Sequence, residues 1–223
     1  MALPMMKSEL RRFVFTTHLT SSAGWVGAVI AFLALAVIGL TSQDEATVRG
    51  AYLVMAPAAW FVLVPLAHAS LLSGVALSLG TTWGLIRHYW VVLKLGITVF
   101  CTVILLIYMG TFRQMAGVAA DPIVELGLVR NPSPMVHAVL ALILLLVATG
   151  LAVYKPFGMT PYGTRKADEE RQAFSSTRAD RLRTVPRIAA SGSPRWVYAV
   201  GIIAIAIALL VVLLLLTGTS FQH

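Results

Sequence analysis

At 223 residues the chain could hold one ordinary soluble domain, but 58% of its residues are hydrophobic, only 12% are charged, and its mean hydropathy is +0.85. Soluble domains carry roughly 25% charged residues, so there are too few charges here to cover a water-facing surface, and lipid must solvate much of it. The net charge of +8 does not indicate a nucleic-acid partner, because the basic loop that carries most of it lacks interleaved aromatics and holds Phe174 alone in its middle. A single cysteine, Cys101, excludes an internal disulfide and a multi-cysteine metal site, and reads as a small apolar residue inside a hydrophobic run.

A hydrocarbon layer of about 30 Å needs about 20 apolar residues in helical form. Five stretches meet that length: about Phe13 to Leu40, Ala51 to Leu79, Tyr89 to Met109, Val136 to Tyr154 and Trp196 to Leu216. In lipid every backbone polar group must find an internal partner, so runs of this length are helices, not strands. The first run follows Lys7, Arg11 and Arg12 as a secretion signal would, but it is too long, and no small-residue cleavage pattern follows Leu40. Pro57 and Pro65 remove backbone donors and predict a kink in the second run. The fifth has apolar faces all round and no ionisable group, which places it beside a four-helix core. The expectation is therefore an all-α polytopic membrane protein of five transmembrane helices. Residues 1–154 would form an antiparallel four-helix bundle, 155–195 a basic and mostly disordered loop, and 196–223 the peripheral helix and tail.

Lys and Arg placement sets orientation. Lys7, Arg11, Arg12, Arg87 and the basic loop from Lys155 to Arg195 fall on one side at successive crossings, whereas Asp44, Glu45, Asp121 and Glu125 fall on the other. This predicts a cytoplasmic N-terminus and an outside C-terminus in a plasma membrane. The 155–195 loop would then attract anionic lipid headgroups, each well-placed cation contributing about 1 kcal/mol; a topology determinant and nothing more is the plainer reading of its charge.

Ionisable groups inside spans are costly and mark where function should be sought. No phosphate loop, H-E-x-x-H pair or G-x-S-x-G turn occurs. Four histidines, His18, His68, His88 and His137, each lie in or at the edge of a different helix. His18 falls ~8 Å inside the first span and His68 ~18 Å from the inner end of the second, with His88 and His137 near opposite boundaries. In an up-and-down bundle helices one and three are diagonal, as are two and four. That pairs His18 with His88 and His68 with His137, and facing neutral imidazoles can ligate haem iron. The plainer reading makes His88 and His137 boundary residues and lets His68 bond a carbonyl near Pro65. Lys94, about one and a half turns into the third span, shares a face with Thr98, Cys101, Leu105 and Tyr108. It would either snorkel to headgroups or face inward as partner to a carboxylate or a proton. His18, Ser21, Ser22 and Trp25 form a matching face on helix one. Ser70, Ser73, Gly74 and Ser78 read as a close-packing stripe on helix two.

The His-x6-Trp-x-Gly pattern of His18, Trp25 and Gly27 resembles the first helix of CopD-type copper-resistance proteins and HemJ-type protoporphyrinogen oxidases. The stretch from His88 to Lys94 and Leu95 resembles their Lys-Leu-containing third helix. The segments Thr81 to His88 and Val153 to Gly163 look like those of an uncharacterised family of small bacterial membrane proteins with a domain of unknown function. The resemblance covers helices one to four and implies a bacterial inner membrane. By its HemJ-type part it implies b-type haem, with His18 and Lys94 at the matching places. Two main readings follow. One is a haem-binding redox or porphyrin-related protein, with His18 the leading ligand, His88 or His68 its partner, and Lys94 holding a propionate or a proton. The other is a non-catalytic accessory or scaffold unit docked on a larger membrane complex. Copper handling ranks third, because the methionines are scattered rather than clustered on one membrane face.

Overall fold

The computed structural model describes residues 6–81, 84–156 and 158–179, together with isolated positions 199, 202, 203, 206 and 210. Among the described residues the chain is helical throughout: α1 (Ser8–Thr41), α2 (Glu45–Ala58), a π-helical turn (Ala59–Leu63), α3 (Val64–Gly80), α4 (Tyr89–Ala120), a short α5 (Leu126–Val129), α6 (Ser133–Tyr154) and α7 (Pro161–Ala179). Four helical units, 8–41, 45–80, 89–120 and 126–154, are long and apolar enough to cross a bilayer, and the chain is an integral membrane protein. The expected fifth span, 196–216, lies outside the described residues except for those isolated positions.

The four units form an up-and-down bundle. The α1 helix packs against α2 and α3 on one side and α6 on the other; α4 does the same, so α1 and α4 are diagonal. The second unit bends where Pro57 and Pro65 bracket it. A π-helical turn fills the interval, a usual answer to a missing donor. Its Leu63 turns into the core while Trp60, Phe61 and Val62 face outward.

Two helices outrun the lipid. At 1.5 Å per residue, α1 and α4 span ~50 Å against a hydrocarbon layer of about 30 Å. The sequence ends the third span at Met109, but α4 continues to Ala120 because Phe112, Met115 and Ala119 keep the helical apolar period and are buried against α2. Arg113 and Gln114 fall on the exposed side. At this end lie the most fully buried large side chains, Val48, Tyr52 and Met55.

Two arginines close the same end. Neither α1 nor α4 has a basic residue in its last turn, and the final carbonyls of a helix need partners from elsewhere. Arg130 donates to the carbonyls of Gly39, Leu40 and Ser42 at the end of α1. Arg49 donates to those of Ala119, Asp121 and Val124 at the end of α4. The Tyr52 hydroxyl donates to the Asn131 carbonyl at 3.0 Å and accepts from the Asn131 amide at 2.8 Å.

The opposite end corrects one expectation. Residues 161–179, predicted as part of an irregular loop, form α7, while 180–195 lie outside the described residues. Local chemistry explains the helix. The Thr160 hydroxyl accepts from the Gly163 amide as an N-cap, Pro161 follows at the first helical position, and Lys166 pairs with Glu169. Its docking on the bundle is equally specific. The Thr160 amide donates to the Arg87 carbonyl at 3.0 Å, and Arg87 grips both Glu170 oxygens at 2.9 and 3.2 Å. Arg87 holds the Glu170 carboxyl below the usual carboxylate range.

A Cβ at Gly163 would lie 2.2 Å from the Arg87 carbonyl oxygen, so Gly163→Ala forces α7 away from α4. Hydrogen exchange of the 161–170 amides should then quicken at least ten-fold, with the membrane helices unchanged. Asp44 gives a pH signature. It caps α2, and the Thr47 hydroxyl and amide, both donating to its Oδ2, hold its carboxyl below the ordinary value. A depressed carboxyl stabilises the fold above its unfolded pKa of about 3.9, and that contribution is lost as pH falls through the lower folded value. The melting temperature should therefore drop more steeply on acidification from about pH 5 to about pH 2 in the natural protein than in Asp44→Asn, which keeps a capping oxygen without the titration.

Candidate functional site

The polar interior at the Ser8 end of the bundle is built by three helices. From α1, His18 projects toward α3, where its Nδ1 lies 3.0 Å from the Ser70 carbonyl oxygen and 3.1 Å from Ser73 Oγ. A carbonyl can only accept, so Nδ1 carries the proton. Ser73 gives its own proton to the Ala69 carbonyl and accepts a minor share from His18. The imidazole is thereby fixed as the Nδ1–H tautomer, with the Nε2 lone pair free to face the bundle axis. Across the diagonal, Lys94 Nζ of α4 donates to that Nε2 at 3.1 Å. Ser22 and Ser70 hydroxyls join at 2.7 Å, tying α1 to α3 beside the ring.

Gly74 makes room for the ring, since a Cβ there would lie 3.0 Å from His18 Cε1. The serine and glycine stripe of α3, read from sequence as close packing, is thus also the seat of His18. Lys94 turns inward rather than out to headgroups. Its charge has no carboxylate partner among the described residues, where the ion pairs are Arg49–Glu45, Arg87–Glu170 and Lys166–Glu169. No Asp or Glu occurs between Glu45 and Asp121, the stretch that holds α3 and α4.

The other histidines are held elsewhere. His88 stands immediately before α4 with its backbone bridged to Met159. His68 Nδ1 donates to the Val64 carbonyl of its own helix at 2.8 Å, beside Pro65. His137 Nδ1 donates to the Ser133 carbonyl at 2.8 Å, and its ring stacks on Tyr108 with centroids 4.3 Å apart. The diagonal geometry assumed for the pairs is present; local carbonyls and Lys94 hold the rings instead.

Two turns beyond His18 and Lys94 the interior becomes apolar. A cavity of about 80 Å³ lies among α1, α4 and α6, bounded by Trp25, Phe32, Phe100, Cys101, Phe112 and Leu144, with His137 in its wall and no other histidine. Among the described residues, no three His, Cys, Asp or Glu side chains gather where they could hold a metal ion.

Sequence reasoning found His18 and Lys94 but missed their partners. The Ser70 carbonyl carries no sequence signal, and the roles of Arg49 and Arg130 depend on carbonyls about 70 to 90 residues away. Ser73 was legible only as a small residue at the right period. No family model, curated protein or solved structure matches the chain.

The Gly74 contact is testable. Gly74→Ala must displace the imidazole and should lower thermal stability in detergent by about 1–2 kcal/mol. Gly27→Ala and Gly96→Ala, where nothing lies within 4 Å of an added Cβ, should be neutral or slightly stabilising.

Proposed function

We propose that this integral membrane protein binds a b-type haem or related porphyrin at the His18–Lys94 site. The observation that carries the reading is the pairing of a neutral imidazole lone pair with an ammonium that has no carboxylate partner among the described residues. A ligand that satisfies both must offer an acceptor of the Nε2 lone pair and an anion for Lys94. A haem carries iron for the first and propionates for the second. The Nδ1–H bond to the Ser70 carbonyl is the kind of support that metal-bound histidines use to fix their orientation. The resemblance of helices one and three to HemJ-type proteins favours the same ligand.

In this reading His18 would be the leading iron ligand, and Lys94 would hold a propionate. Serines 70 and 73 keep the ring oriented. A bound haem would supply one-electron or porphyrin chemistry; the chain's own residues bind, orient and hold charge. His68, His88 and His137 rank behind His18 as candidate second ligands. The basic residues near the Ser8 end and in 155–195 favour a cytoplasmic placement of that end, next to anionic headgroups in a bacterial plasma membrane.

Protein purified in mild detergent from haem-replete cells should show a Soret band. His18→Ala should remove most of it, and Lys94→Met should weaken haem retention at least ten-fold. Colourless, iron-free natural protein would overturn the proposal.

A further inference from the structure

The apolar cavity on the Arg130 side of the site holds a chemical feature that the His18–Lys94 site does not use. His137 Nδ1 lies 2.8 Å from the Ser133 carbonyl, which fixes the proton on Nδ1 and leaves Nε2 as an acceptor. The Tyr108 hydroxyl, which could have supplied a proton, donates instead to Ser133 Oγ at 2.7 Å. His137 Nε2 is buried and has no hydrogen-bond partner among the described residues, although buried polar atoms are nearly always paired. The His137 side chain belongs to the wall of an otherwise apolar cavity.

The wall is aromatic. Tyr108 stacks on His137, Phe112 meets Tyr108 edge-on with centroids 4.8 Å apart, and Phe32 meets Phe112 at 5.6 Å. Trp25 and Phe100 complete it. Such rings favour a flat aromatic guest. Nε2 can only accept, so it selects a guest that brings an O–H and gives nothing to a carbonyl. The partly exposed Phe100, Ile104 and Leu105 lie on its α4 side, so a guest dissolved in the lipid can reach it. At about 80 Å³ the space is smaller than the roughly 150 Å³ that holds benzene in a dry apolar cavity. A single ring therefore enters only as the side chains of the wall yield, and any substituent tail must leave toward the lipid.

We propose that this cavity is a binding site for a lipid-soluble aromatic alcohol of the phenol class, its hydroxyl donating to His137 Nε2. The site is independent of the haem reading, and it discriminates phenols from rings of the same size that lack a donor. Donor-lacking rings leave Nε2 unpaired, so the hydroxyl is worth about five-fold in affinity.

The chain supplies its own reporter. Cys101, its single cysteine, is buried in the cavity wall. The experiment follows modification of Cys101 by methylmercury hydroxide, which takes a neutral thiol and releases water, in lipid nanodiscs, with phenol or fluorobenzene as competing guest. Phenol should protect Cys101 at about five-fold lower concentration than fluorobenzene. In His137→Phe, which keeps an aromatic ring against Tyr108, that preference should vanish while protection by fluorobenzene persists. Equal protection by the two guests in the natural protein, or none by either, would overturn the proposal without recourse to the variant. Haem content, read on the same samples, should not change with either guest.

Discussion

The absence of water from the bilayer interior governs this structure. Between lipid tails there is little hydrophobic drive to bring helices together, so small-residue contacts and satisfied polar groups must do it. The His18–Lys94 contact is where that constraint is sharpest. An ammonium in a span costs about 2.5–3.5 kcal/mol on insertion scales. It is tolerated here by turning to an imidazole whose lone pair is held toward it from a third helix.

Beyond the lipid the two ends of the bundle are closed by specific donors instead. At one end, Arg49 and Arg130 reach from other segments to the last carbonyls of α4 and α1, groups that those helices cannot satisfy themselves. At the other, Arg87 binds Glu170 and its backbone carbonyl receives the Thr160 amide, which seats α7 on the start of α4. The arginines that a charge count assigns to topology thus also act as specific hydrogen-bond donors. Between the ends, the π-helical turn between Pro57 and Pro65 carries Leu63 into the cavity wall.

Much of the architecture was legible in the sequence because lipid imposes a length rule that few soluble segments meet. The end of α1, the start of α4 and the end of α6 follow from hydropathy, and the diagonal relation of α1 and α4 follows from chain order. The extension of α4 to Ala120 was missed because mean hydropathy falls while the period at Phe112, Met115 and Ala119 persists. The helix at 161–179 was missed because its mixed charge and polarity resemble an irregular loop, whereas Thr160 and Pro161 start a helix. Within the site, His18 and Lys94 stood out as ionisable residues in apolar runs. Their partnership did not, because histidines were matched to histidines by depth, and depth ignores where a side chain points. Lys94 begins six residues beyond His88, yet its flexible stem carries its charge to His18.

Selective ¹⁵N labelling of histidine and a spectrum of the protein in lipid near neutral pH test the central contact most directly. His18 should carry its proton on Nδ1, with a hydrogen-bonded Nε2 whose resonance moves when Lys94 is replaced by Met while Nδ1 holds still. A proton on Nε2, or an Nε2 resonance indifferent to Lys94→Met, would contradict the diagonal contact.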